Sequence, residues 1–172
     1  MTNIEIEQVV SQPSSYTPTK VVCLPIDASS NTRYSIQYAL ANLLDPKIHS
    51  INLINVLPKQ TSMEQNQSRL IDYIEQQLDV VEESSVKSAY DLIIELSKQF
   101  SKHGYAVTGN FAVGDPRLVL KSYIETIAPH MVVMGSHGDN KLPGTMGSVS
   151  NFILQNSETP VVIVKEEFHA TH

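Results

Sequence analysis

Gly135, Gly138, Gly144 and Gly147 are four of the chain's seven glycines, and they fall within thirteen residues. They punctuate Met131-Val-Val-Met-Gly-Ser-His-Gly-Asp-Asn-Lys-Leu-Pro-Gly-Thr-Met-Gly-Ser148. A loop this rich in glycine brings backbone N–H groups to an anion with no Cβ in the way. A helix opening at Ser148-Val149 adds unpaired N–H groups and the positive end of a helix dipole, and Ser148 adds a hydroxyl. The chemistry these residues suit is holding phosphate. Asp27 follows another apolar run, Lys20 to Ile26. Its carboxylate would repel phosphate, but it suits ribose hydroxyls, a base amino group, or a divalent cation bridging to phosphate. A third apolar run ends Asn55-Val56. Together the pieces describe a nucleotide site.

These groups must be carried by strands that end side by side. Lys20–Ile26 is continuously apolar, as expected of a strand buried on both faces of a parallel sheet. Asp27-Ala-Ser-Ser-Asn31 then offers Ser29, Ser30 or Asn31 as a helix cap, before Ile36, Ala39, Leu40 and Leu43 recur at helical spacing. His49 to Leu57 reads as the second strand. Thr61 to Gly104 reads as two helices or one bent one, with stripes Leu70, Ile71, Ile74, Leu78, Val81 and Val86, Ala89, Ile93, Leu96, Phe100. His103-Gly104 signals its end. Tyr105 to Val113 is the third strand. Asp115-Pro116 starts a helix with Leu120, Ile124, Ile127 and Ala128 inward. Met131–Met134 is the fourth strand, Ser148 opens the last helix with Val149, Phe152 and Ile153 inward, and Val161–Val164 is the fifth strand. Strict strand–helix alternation predicts an α/β fold, a parallel sheet covered by helices on both faces. Residues 1–18, with Pro13 and Pro18 among serines and threonines, read as a flexible tail, 19–165 as a single domain and 166–172 as a polar tail.

The 172 residues suit one domain with a real core, and a net charge of −6 lacks the basic patch of a nucleic-acid binder. No apolar run approaches the roughly 20 residues of a membrane span. The acidic N-terminus does not read as a signal peptide, and Cys23, the one cysteine, lies in an apolar strand, so a cytoplasmic setting is expected.

Gly-x-x-x-x-Gly-Lys-Ser/Thr is absent, and the turn after the first strand has no glycine, so neither a P-loop nor a Rossmann fingerprint is present. Gly135-Ser-His-Gly138, eight residues, then Gly147-Ser-Val-Ser150, and later Thr159-Pro-Val-Val-Ile-Val-Lys165 resemble the universal stress protein (UspA-like) family, ATP-binding type. Pro25-Ile-Asp27 and Asn55-Val56 are similar to that family's first two strand ends. The resemblance covers roughly Lys20 to Lys165. It implies a three-layer α/β/α fold with a five-stranded parallel sheet in order 3-2-1-4-5, of adenine nucleotide alpha hydrolase type. It implies ATP, or ADP or AMP, as ligand, with Mg2+ or Mn2+ as a companion ion. Carried over, Pro25, Asp27 and Val56 surround adenine and ribose, and Met134 and Gly135 border the ribose and α-phosphate. Gly138, Gly147, Ser148, Val149 and Ser150 hold the phosphates. The stretch between Gly138 and Gly147 is one residue shorter than is usual in the family, and Gly144 matches no motif position. The family also commonly dimerises through its last strand. Val161, Val162, Ile163 and Val164 would form an apolar edge that invites pairing with its twin, so a homodimer is expected.

Each residue also has a plainer reading. Asp27 could only cap the first helix, and Gly135 and Gly138 could only make a tight turn. His137, a lone loop histidine, reads as solvent-facing, and Arg33 and Lys141 read as solvated surface. No base with an orienting partner is legible, so no catalytic residue and no metal-ligand set is assigned. The function expected is an ATP-binding stress-response regulator with at most slow hydrolysis. The alternative is a protein-interaction module of the same fold with a vestigial nucleotide site. A flavin or adenylating enzyme would require further segments.

Overall fold

The computed structural model describes residues 9–10, 17–58, 83–137 and 145–165. Its elements are β1 (Val9–Val10), β2 (Lys20–Ile26), α1 (Ser30–Asn42), β3 (His49–Leu57), α2 (Glu83–Lys102), β4 (Val107–Val113), α3 (Pro116–Ile127), β5 (Met131–Gly135), α4 (Ser148–Asn156) and β6 (Val161–Val164). The sheet order is β1-β4-β3-β2-β5-β6. From β4 to β6 all neighbours are parallel. Numbered from β2, these five strands have the expected order 3-2-1-4-5.

Side chains alternate across β2, and both faces are buried. Val22, Leu24 and Ile26 pack with Ile36 and Ala39 of α1 and Ile93, Leu96 and Phe100 of α2. Cys23 packs on the opposite face with Leu120, Tyr123 and Ile124 of α3 and Ile153 of α4. That is why the strand's sequence is apolar without interruption. Fully buried side chains such as Leu24, Ile93, Phe100 and Ile153 each contribute about 1.5–3 kcal/mol.

Helix ends follow their caps. Ser29 caps α1 through its side chain, which accepts from the Thr32 amide. Asp115 caps α3, accepting from the Arg117 amide, with Pro116 in the first turn. Arg117 also pairs with the Asp115 carboxylate and holds it at about 2, well below the usual carboxylate range. At the end of α2, Tyr105 N–H donates to the Phe100 carbonyl and Gly104 N–H to that of Ser101. Gly104 has φ +84°. The rings of Phe100 and Tyr105 meet edge to face at 5.7 Å, completing a Schellman motif with its apolar contact.

The structure departs from the sequence reading in three places. Within the expected tail, Val9–Val10 pairs antiparallel with Thr108 and Gly109 of β4. The third parallel strand starts at Val107, not Tyr105. Ala128, placed in the buried stripe of α3, is exposed and takes a left-handed cap conformation, while Val119 and Tyr123 fill the stripe. The second apolar stripe of Thr61–Gly104 lies, as expected, on a helix of its own, Glu83–Lys102. The first stripe lies outside the described residues.

Candidate functional site

The carboxyl ends of β2, β3 and β5 and the start of α4 surround a cleft of about 350 Å³. Pro25, Asp27, Val56, Met134, Gly135, Gly147, Ser148, Val149 and Ser150 all line it. Of the ten residues singled out from the sequence, only Gly138 lies outside the described residues, as do Lys141 and Gly144. The apolar part of the lining adds Ile26, Ile54, Pro58, Pro116 and Leu120. A neighbouring groove of about 320 Å³ shares Asp27, Val56 and Pro58 and reaches Asn55 and the serines at the start of α2.

Asp27 is held by the turn it begins. Its Oδ1 accepts from Ser29 N–H at 3.0 Å, from the Ser29 hydroxyl, and from the Thr32 hydroxyl at 2.6 Å. The Thr32 oxygen accepts in turn from Asp27 N–H at 3.2 Å. Asp27 is exposed all the same. The capping and lining roles therefore coexist: Ser29 is the cap, Asp27 braces it through Oδ1, and Asp27 also lines the cleft. Thr32, which also lines the cleft, is a site residue that the sequence reading missed. The Asp-x-Ser-x-x-Thr spacing was its available signal, because short hydroxyl side chains close such turns.

On the other wall, the chain leaving β5 is pinned. Ser136 N–H donates to the Val164 carbonyl and its own carbonyl accepts from Gly147 N–H at 2.8 Å. Gly147 caps α4 with no side-chain hydrogen bond, which leaves the first-turn N–H groups of that helix without a side-chain cap. Gly147 has φ −66°, a value open to any residue. Proximity favours glycine instead: a Cβ there would sit 3.1 Å from His137 Cα and 3.3 Å from His137 Cβ. Ser148 is exposed at the helix start. Ser150, grouped with the phosphate holders by resemblance, is buried and donates its hydroxyl to the Gly135 carbonyl at 2.9 Å. That bond ties α4 to β5 and commits the hydroxyl proton.

His137 is not solvent-facing. It is half-buried, lines the cleft, and its Nδ1 lies 3.1 Å from Nδ2 of Asn31 on α1. The separation of 106 positions explains why the pair was illegible in the sequence. Arg33 is exposed and does not line the cleft. Cys23 lies deep in the core, where burial pushes its thiol up to about 12. Among the described residues no three His, Cys, Asp or Glu side chains come together as a metal cluster, and no helix is long and apolar enough to cross a membrane.

A family model described as the Universal stress protein family matches residues 18–165. No curated protein matches. Among solved structures, hypothetical protein MJ0577 is similar at 22% identity and a TM-score of 0.71, covering 88% of this chain and 99% of its own. A universal stress protein family protein from Arabidopsis thaliana, At3g01520, with AMP bound, is 17% identical with a TM-score of 0.61, over 89% of this chain and 95% of its own. A universal stress protein in complex with cAMP is 20% identical with a TM-score of 0.56, over 84% and 96%. At these identities the likeness is one of fold.

Proposed function

The chain belongs to the universal stress protein family, and from that premise we propose that it binds an adenine nucleotide, ATP with ADP or AMP as lesser forms, as a regulatory module of a stress response. One observation carries the reading. Residues from three strand ends and a helix start, scattered along the sequence, line a single cleft with both apolar and polar groups. Pro25, Val56, Pro58 and Met134 supply apolar walls suited to a base. Asp27 suits ribose hydroxyls or the base amino group. The uncapped N–H groups at Ser148 and Val149, with the Ser148 hydroxyl, suit phosphate oxygens. The AMP and cAMP held by the two family relatives support an adenine nucleotide as the ligand class. Gly138 completes the phosphate side in the family's pattern.

Mg2+ or Mn2+ fits as a bridging ion. Asp27 is the one carboxylate of the described lining, and one of its oxygens is already committed to Ser29 and Thr32. A single carboxylate oxygen with phosphates and water is an ordinary Mg2+ environment. Hydrolysis would be slow at most. Among the described residues no His, Cys, Asp and Glu cluster of three or more stands ready to hold catalytic metal ions. The protein would act in the cytoplasm as a two-fold homodimer. Val161, Val162 and Ile163 are only half-buried on the terminal strand β6, which supports pairing there.

Calorimetric titration with ATP, ADP, AMP and cAMP tests the reading. The expected result is saturable binding of at least one adenine nucleotide, weakened about tenfold by Asp27→Ala. A folded chain giving no binding heat up to millimolar nucleotide refutes it.

A further inference from the structure

Asn31 carries a buried polar atom whose needs the fold leaves unmet. The residue sits in the first turn of α1 and is 3% exposed. Its Nδ2 faces His137 Nδ1, while its Oδ1 is buried with no hydrogen-bond partner. A side-chain amide can be placed in two orientations, and hydrogen-bond accounting chooses between them. In the observed one, Nδ2 donates to Nδ1 and one acceptor is orphaned. With the amide turned over, Oδ1 would face Nδ1 and the NH2 group, a double donor, would take the unpartnered position. The observed orientation leaves one acceptor and one amide hydrogen unmet and the turned-over one leaves two amide hydrogens unmet, and an orphaned N–H is the rarer of the two in buried sites. The observed orientation requires an unprotonated Nδ1, so the neutral ring carries its proton on Nε2.

We propose that Asn31 is a positioning residue: it locks His137 as the Nε2–H tautomer and thereby makes the imidazole a neutral N–H donor to a phosphate oxygen in the cleft. This rests on the adenine-nucleotide reading above. His137 lines the cleft beside Gly147 and Ser148, where the phosphates would lie. An anionic oxygen makes a hydrogen bond roughly twice as strong as a neutral acceptor does. Donation from a neutral ring also needs no proton uptake on binding.

Two motif glycines build this arrangement. A Cβ on Gly135 would lie 3.1 Å from both Asn31 Cβ and the Asn31 carbonyl oxygen, so glycine there lets α1 approach β5 and brings the amide within reach. A Cβ on Gly147 would press on His137 Cα at 3.1 Å. Besides admitting phosphate, these glycines clear space for the Asn31–His137 pair.

Nitrogen NMR of the His137 ring in the free protein tests the lock. A pyridine-type Nδ1, a pyrrole-type Nε2 and a scalar coupling from Nδ1 to the Asn31 amide are expected. A pyrrole-type Nδ1 overturns the proposal. Asn31→Asp, which keeps the shape at this buried position, is expected to turn Nδ1 into a protonated, pyrrole-type nitrogen. A ring unchanged in that variant also overturns it. The second arm is ADP titration of the wild type, Asn31→Ala, His137→Ala and the double variant. Each single change is expected to weaken binding about tenfold, and the double variant no further than His137→Ala alone. Additive losses, or an Asn31→Ala chain binding like the wild type, refute positioning. If the wild type binds no ADP, the nucleotide reading and the donor role fall together, while the ring signature still decides the lock. If ADP binds but Nδ1 is pyrrole-type, only the lock falls.

Discussion

Replacing Gly135 with alanine tests whether close approach of α1 and β5 is what demands glycine there. The new Cβ would lie 3.1 Å from Asn31 Cβ, 3.1 Å from its carbonyl oxygen and 3.2 Å from its carbonyl carbon. Carbon atoms in favourable contact stand about 3.5–4.0 Å apart. Two of the three neighbours are backbone atoms in the first turn of a helix, so no side-chain rotation relieves the contact. Relief requires α1 to slide by a few tenths of an ångström against β5. That movement is resisted by Ile36 and Ala39, which are 2% and 0% exposed in the core below. Overpacking of this kind costs about 1–3 kcal/mol. For a chain of this length a loss of about 2 kcal/mol lowers Tm by roughly 4–8 °C. Gly104→Ala is the control. There φ is +84° and the nearest atom to the new Cβ, Pro46 Cβ, is 3.7 Å away, so only the left-handed backbone opposes alanine. That change should cost about 1 kcal/mol and leave ADP affinity unchanged. Thermal unfolding followed by circular dichroism reads both, with ADP titration alongside. A Gly135→Ala chain that melts within about 1 °C of the wild type refutes the close-approach argument.

Ala128 is exposed with φ 42° at the end of α3, so Ala128→Gly should stabilise the fold by about 1 kcal/mol in urea unfolding; an unchanged or lower midpoint counts against a strained cap. Burial, with Lys20 adding, holds the His49 imidazole below its ordinary value against the opposing Asp45 carboxylate, and the Asp45 amide donates to Nδ1 at 3.0 Å, a bond only the unprotonated nitrogen accepts. The unfolded chain therefore binds the proton more readily, and the His49 contribution is complete above pH of about 6.5 and declines as pH falls below it. The urea midpoint should drop less between pH 7.5 and 5.5 in His49→Gln than in the wild type, and parallel curves would refute this. Cys23, fully buried with its thiol pushed up to about 12, should resist thiol reagents in the native protein and react at the rate of unfolding; prompt labelling at neutral pH would contradict the core placement.

The parallel sheet was legible because burial on both faces leaves a direct mark: Lys20–Ile26 and Met131–Met134 have no polar alternation to hide. The candidate lining was legible for the same reason, since strand ends announce themselves where apolar runs stop. What the sequence concealed is contact between distant segments. Nothing near Asn31 in the chain points to His137, and nothing near Gly135 says that its missing Cβ accommodates Asn31. A structural bond of Ser150 was hidden for a related reason. A hydroxyl beside a glycine motif suggests a ligand, and only the fold shows it donating to Gly135 O. Ala128 misled because helical spacing continues past Ile127 while the backbone turns left-handed.

The position of the cleft follows from topology more than from any one side chain. β2 and β5 are neighbours in the sheet, paired through Val22 with Met131 and Cys23 with Val132. The chain leaving β2 enters α1, which packs on the face shared with α2. The chain leaving β5 enters α4, which packs on the opposite face with α3. Two adjacent strands that send their chains to opposite sides open a crevice between their ends, and α/β sheets bind ligands there. Such a crevice would survive the loss of every polar group in it. Its existence therefore says little about its ligand, and the discrimination lies in the lining. Asp27, braced by Ser29 and Thr32, and the start of α4, which has no side-chain cap, share that lining with apolar residues. A carboxylate and an anion-seeking helix start in one cleft suit a ligand that carries both hydroxyl groups and an anionic group. That combination argues for a nucleotide over a free phosphate or an apolar ligand.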